Sequence, residues 1–95
     1  IVSIATSEND SRDKEVLLND MTSMLLKNIN FDSLLRQFPA SDFCRINKKE
    51  IIAMKAVKFF SHNEITLNQP LKNGKFPTVI LSEIYRSDFL SKTKI

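Results

Sequence analysis

The segment "NINFDSLLRQFP", residues 28–39, restricts the fold more than any other stretch of this chain. Asn30 can accept hydrogen bonds from the free N–H groups of a helix start, and Asp32 complements the positive end of the helix dipole. Phe31, Leu34, Leu35 and Phe38 then recur at three- and four-residue steps and share one face. Pro39 ends the run, because its ring forces the residues just before it out of helical geometry. The segment is therefore a helix of about two turns, and whatever follows must restart in another conformation. "FCRI", residues 43–46, restarts as an extended segment.

The remaining apolar runs are also short and are separated by turn residues. "IVSIATS" is β-branched, which predicts a strand that is central or covered on both faces. "ENDSRD" is a polar loop. Val16–Leu18 and Met21–Leu26 read as two strands pivoting on Asn19-Asp20, with a helix over the same stretch as the rival. "AVKFFSHNEITLNQ" gives a strand, a Ser61-His62-Asn63 turn and a strand alternating Ile65 and Leu67 with polar neighbours. Asn73-Gly74 holds the only glycine and is the strongest short-range turn signal; Val79–Leu81 form the strand after it. "SEIYRSDFLSKTK" closes the chain as a helix capped by Ser82, with Ile84, Tyr85 and Phe89 packing and Lys92 and Lys94 near its negative end. The expected fold class is mainly β, built of short antiparallel strands and hairpins with two short helices.

The segment "KKEIIAMKAVKFF", residues 48–60, is ambiguous. Ile52, Ala56, Phe59 and Phe60 fit a helical period, whereas Val57, Phe59 and the tight turn after them favour a hairpin at its end. The residues alone leave its beginning undecided.

Ninety-five residues, 42% of them hydrophobic and seven of them Phe, suffice for one domain with one modest core. Beginning at Ile1 without Met, the chain is expected to be a single domain, residues 1–95, excised from a longer protein. No apolar run is long enough to span a membrane, and a lone Cys44 suits a reducing compartment, so a cytoplasmic location is expected. Residues 1–20 carry two cations and five carboxylates, whereas residues 21–95 carry twelve cations and six carboxylates. A basic body favours an anionic partner.

Catalytic chemistry finds no support. The single histidine, His62, falls in a hairpin turn with no second histidine to relay protons, and acidic pairs such as Asp10/Asp13 belong to a solvated loop. One glycine cannot build a phosphate-cradling loop. Cys44 and His62 are too few for a structural zinc site, so neither metal nor cofactor is expected. Cys44 reads as a small buried hydrophobe, with Arg45 on the opposite strand face.

The order of features, beyond any single motif, resembles a known family. Leu35 with Phe38-Pro39, then Phe43, Arg45, Ile46, Asn47, Lys48 and Lys49, then "IIAM", "AV", "EITL", a glycine turn and "SEIY" with Phe89-Leu90 is similar to the LytTR domain. LytTR domains are the DNA-binding output modules of bacterial response regulators. The resemblance is strongest over residues 34–90; "IVSIATSENDS" is similar to an early strand and the loop after it, which would leave one leading strand missing.

That resemblance implies a mainly antiparallel β fold that meets DNA through loops and strand ends. It implies an extended Phe43–Ile46, a contact loop near Asn47–Lys49 and a strand at about Lys55–Phe60. Arg45 matches the family Arg, Asn47 stands where the family has His, Lys48 where it has Arg and Lys49 where it has Ser. Ser82 matches the family Ser at the last helix, and Asn9 falls in the first contact loop. Glu83 replaces an Arg common in the family, which implies a third contact region that is either weakened or shifted toward Arg86, and Ala53 replaces the usual Asn. The DNA-binding set so implied is Arg45, Asn47, Lys48, Lys49, Ser82, Arg86 and Asn9. Implied partners are double-stranded promoter DNA carrying direct repeats, a second copy forming a dimer on it, and an upstream receiver or sensor domain. Lys and Arg supply the phosphate contacts that release counterions, and Arg45 or Lys48 can also reach guanine acceptors. The alternative is a protein-interaction or regulatory module on the same fold whose DNA contacts have decayed.

Overall fold

The computed structural model describes residues 1–20, 22–70 and 73–93; the expected Met21 strand position and the Lys94 contribution to the last helix lie outside them. The elements are β1 (Ser3–Thr6), β2 (Lys14–Leu17), β3 (Ser23–Leu26), α1 (Phe31–Gln37), β4 (Phe43–Asn47), β5 (Glu50–Ala53), a single 3-10 turn (Met54–Ala56), β6 (Val57–Phe60), β7 (Glu64–Leu67), β8 (Thr78–Ile80) and α2 (Glu83–Thr93). The fold is β-rich with two helices, as the pattern of short runs predicts.

All strand pairs are antiparallel, in a five-stranded sheet ordered β3-β2-β1-β5-β4 and a three-stranded sheet ordered β6-β7-β8. β1 is central, as its β-branched composition requires. The strand pair β2–β3 resolves the Val16–Leu26 ambiguity in favour of a hairpin. Asp20 closes its turn by accepting from the Thr22 N–H (3.0 Å) and hydroxyl (2.5 Å), and these bonds hold its carboxyl below the ordinary carboxylate range.

Helix α1 forms where the sequence places it. Asn30 accepts from the Ser33 N–H at 2.8 Å, and the chain is extended again at Phe38, before Pro39. Its face of Phe31 and Leu34 packs against Ile4, Val16 and Ile51 on one side of the large sheet. The other side, through Cys44, Ile46 and Ile52, packs against Ile65 and Leu67 of the small sheet and Phe89 of α2. The large sheet is thus a central layer, with α1 on one face and the small sheet with α2 on the other.

Residues 48–60 adopt neither a single helix nor one strand. Glu50–Ala53 complete a tight hairpin with β4, Met54–Ala56 make the 3-10 turn, and β6 begins at Val57, two residues later than the strand expected from Lys55. Burial decides this: Ile51 and Ile52 are consecutive and both fully buried, which suits a strand covered on both faces and not a one-sided helix. A register shift between Val57 and Phe59 leaves Lys58 unpaired, a β-bulge. It moves Phe60 opposite buried Ile65 and onto Phe89, edge to face at 5.0 Å, and turns Phe59 outward opposite Thr66.

Helix α2 carries one correction. Phe89 is fully buried and Tyr85 half-buried, as expected, but Ile84 does not pack: it is 80% exposed. No helix among the described residues is long and apolar enough to cross a membrane.

Candidate nucleic-acid interface

The three segments that carry the expected contact residues are joined to one another and to the β6–β7 turn by hydrogen bonds. Lys48 and Lys49 are the exposed turn between β4 and β5. The Lys49 carbonyl accepts from the Thr6 N–H at 2.8 Å, which fixes this turn against the end of β1 and the loop holding Asn9. A register shift between Arg45 and Asn47 makes a bulge at Ile46, which bends the end of β4. The Ile46 carbonyl there accepts from the Ser82 N–H at 2.8 Å, joining β4 to the start of α2. The Leu81 N–H donates to the Asn63 carbonyl at 2.9 Å, and the Arg86 guanidinium donates to the His62 carbonyl, bringing in the β6–β7 turn. Pairings between segments distant in the chain therefore bring the turns that hold Asn9, Asn47, Lys48, Lys49, Ser82 and Arg86 toward one edge.

Asn47 has an organising position there. Its amide nitrogen donates to the Ile80 carbonyl at 2.9 Å and to Glu50 Oε1 at 3.2 Å, while its amide oxygen accepts from the Lys49 N–H at 2.8 Å. Both amide hydrogens are thus committed inside the protein. It is the last residue of β4, not part of a free loop, and it aims the lysine turn.

Arg45 projects from the opposite face to Cys44, as alternation predicts. Its guanidinium lies 5.0 Å from the Phe31 ring centroid and 5.5 Å from that of Tyr85, and donates to the Lys48 carbonyl at 3.0 Å. The group is held by these cation–π contacts and by the turn it supports.

Lys14 is a residue that the sequence reading left out of the site. It is 5% exposed, its ammonium donates to the Ser11 carbonyl at 2.7 Å, and it lies 5.2 Å from the same Phe31 ring. No motif marks it; the first position of β2 reads as the end of an acidic loop. Only the docking of α1 beneath the sheet reveals that Phe31 separates two cations. Lys14, Arg45, Lys48 and Lys49 line one open groove of about 390 Å³, with Asp32 its single carboxylate. Such a convergence of like charge is costly without a counterion and favourable with an anion present.

Elsewhere along the rim, Asn9 is exposed, and its N–H donates to the Ser7 hydroxyl at 3.2 Å. In the same loop Asp10 pairs with Arg12 at 2.9 Å, which lowers the carboxyl pKa. Glu83 is exposed and lies 3.4 Å from His62. Cys44 is fully buried; burial pushes its thiol up to about 12, beside Asp88 and the opposing charge of Lys92. A thiol so held is neutral and unreactive. Among the described residues no group of three His, Cys, Asp or Glu side chains is placed to hold a metal ion.

No protein-family model matches the chain, and no curated protein does. Among solved structures, a LytTr DNA-binding domain from Bacillus cereus superimposes with a TM-score of 0.73 at 16% identity, over 100% of this chain and 82% of that one. Three layers, two antiparallel sheets and a rim of joined turns therefore amount to a LytTR-type fold.

Proposed function

We propose that this chain binds double-stranded DNA in a sequence-specific manner, as the output domain of a bacterial transcriptional regulator. The observation that carries the reading is the groove shared by Lys14, Arg45, Lys48 and Lys49, on the rim where the turns converge. Its surface lysines supply phosphate contacts, Arg45 is held by two aromatic rings and the Lys48 carbonyl, and Asn47 sets the turn. Ser82 is joined to the end of β4 through the Ile46 carbonyl, Asn9 is exposed in the loop after β1, and Arg86 braces the neighbouring turn. The likeness to a LytTr DNA-binding domain supports the same assignment. On this reading the chain acts in the cytoplasm, pairs with a second copy on direct repeats and answers to a receiver or sensor domain. No step of this function requires an enzyme activity.

The test is fluorescence anisotropy with duplexes selected from a random pool, titrated across salt. A DNA binder gives log affinity that falls steeply with log salt. Lys48→Ala is expected to reduce that slope by about one unit. Flat, weak binding at low salt refutes the proposal. A protein-interaction module on the same fold is the second reading, favoured by exposed Phe59 and Ile80 on the outer side of the small sheet; it is the reading that flat binding would leave.

A further inference from the structure

β3 is one outer edge of the five-stranded sheet, and β4 is the other. An outer edge presents unpaired N–H and C=O groups, which proteins usually blunt with charge, a bulge or a covering element. The other edges of this fold are blunted in that way. On β4 the Ile46 carbonyl accepts from the Ser82 N–H at 2.8 Å, and the Phe43 carbonyl accepts from the Lys92 ammonium at 2.9 Å. In the small sheet β6 carries the bulge at Lys58, and on β8 the Ile80 carbonyl accepts from Asn47. β3, by contrast, keeps a regular register with β2 and has no charged residue.

The Leu18 N–H donates to the Thr22 carbonyl at 2.8 Å, so Thr22, Met24 and Leu26 turn their main-chain groups to β2. Ser23 and Leu25 turn theirs outward, where the sheet has no further strand. Met24 is 50% exposed and Leu25 46%, one on each face of this edge. The strand is thus uncharged, apolar on both faces and open along its hydrogen-bonding side. Asp20 stands before it and Lys27 after it, both exposed.

We infer that β3 pairs antiparallel with β3 of a second copy, joining the two large sheets into one. In an antiparallel pair of identical strands the Asp20 end of each copy meets the Lys27 end of the other, so the charges at both ends are complementary. The outward groups of Ser23 face those of Leu25 in the second copy, giving about four main-chain hydrogen bonds, and Met24 stands opposite Met24. The contact is isologous and closes at two copies, because the covered β4 edge offers no place for a third. Copies on direct repeats share one orientation, whereas this pair is two-fold, so it is an assembly separate from the one on DNA. The inference does not rest on the DNA-binding reading.

The test is sedimentation velocity of the 95-residue chain without DNA, from micromolar to near-millimolar concentration. The wild type is expected to pass from monomer to dimer and to go no further. Met24→Lys and Met24→Glu each set like charges opposite one another, and each is expected to weaken the dimer about tenfold. An equimolar mixture of the two variants sets opposite charges there and is expected to recover the dimer, which also shows that both variants are folded. A wild type that stays monomeric, variants that associate as tightly as the wild type, or a mixture that stays monomeric overturns the inference. Growth beyond two copies overturns it as well.

Discussion

Replacing Asn47 by Ala separates a residue that builds the site from one that touches the ligand. The substitution removes three hydrogen bonds: to the Ile80 carbonyl, to Glu50 and from the Lys49 N–H. Each such bond contributes roughly 0.5–1.5 kcal/mol net. The site is at the solvent edge, so water replaces part of what is lost, and a total of about 1–2 kcal/mol is expected. For a domain of this size each kcal/mol lowers Tm by about 4–8 °C, giving a fall of about 4–16 °C. Asn47→Asp keeps the acceptor for Lys49 but loses both donors and sets a second carboxylate beside Glu50, so its loss is expected to equal or exceed that of Ala. Thermal unfolding followed by circular dichroism reads both. In the anisotropy assay, Asn47→Ala is expected to weaken DNA binding by a similar factor at every salt concentration, because no cation is removed and the slope is set by phosphate contacts. Unchanged melting of both variants would refute the structural role. A slope reduced by one unit would mean that the effect runs through phosphate contacts and not through the aim of the turn.

Two further outcomes test the rest of the site and the core beneath it. Lys14→Met keeps an unbranched apolar side chain against Phe31 and removes a mostly buried charge; stability is expected to hold or rise slightly while the salt slope falls by about one unit, and an unchanged slope would remove Lys14 from the interface. Cys44, whose folded-state thiol pKa is raised to about 12, is expected to resist a disulfide reagent in the native protein at pH 8–9 and to react fully once denaturant unfolds it; rapid native labelling would contradict its burial.

Local signals determined a good part of this protein. Asn30 and Pro39 bound α1 because a cap and a ring act within a few residues, and the alternation of Ile65 and Leu67 sets the face of β7 by the same short reach. The lysine turn is visible as Asn47-Lys48-Lys49 because charge clusters are local. Tertiary structure decided what depends on pairing between distant segments. The bulge at Lys58 set Phe60, and not Phe59, against the buried Phe89 ring, and nothing in "KFF" distinguishes the two before β7 is in register. The docking of α1 placed Phe31 between Lys14 and Arg45, which are far apart in the chain. Ile84 was left in solvent because α2 packs against β4 through the face that holds Phe89, a feature that helical spacing alone does not fix. Composition and spacing thus specify the elements and their charge. The rim that carries the lysine turn exists only when hydrogen bonds such as those from Asn47 to Ile80 and from Ser82 to Ile46 bring its parts together.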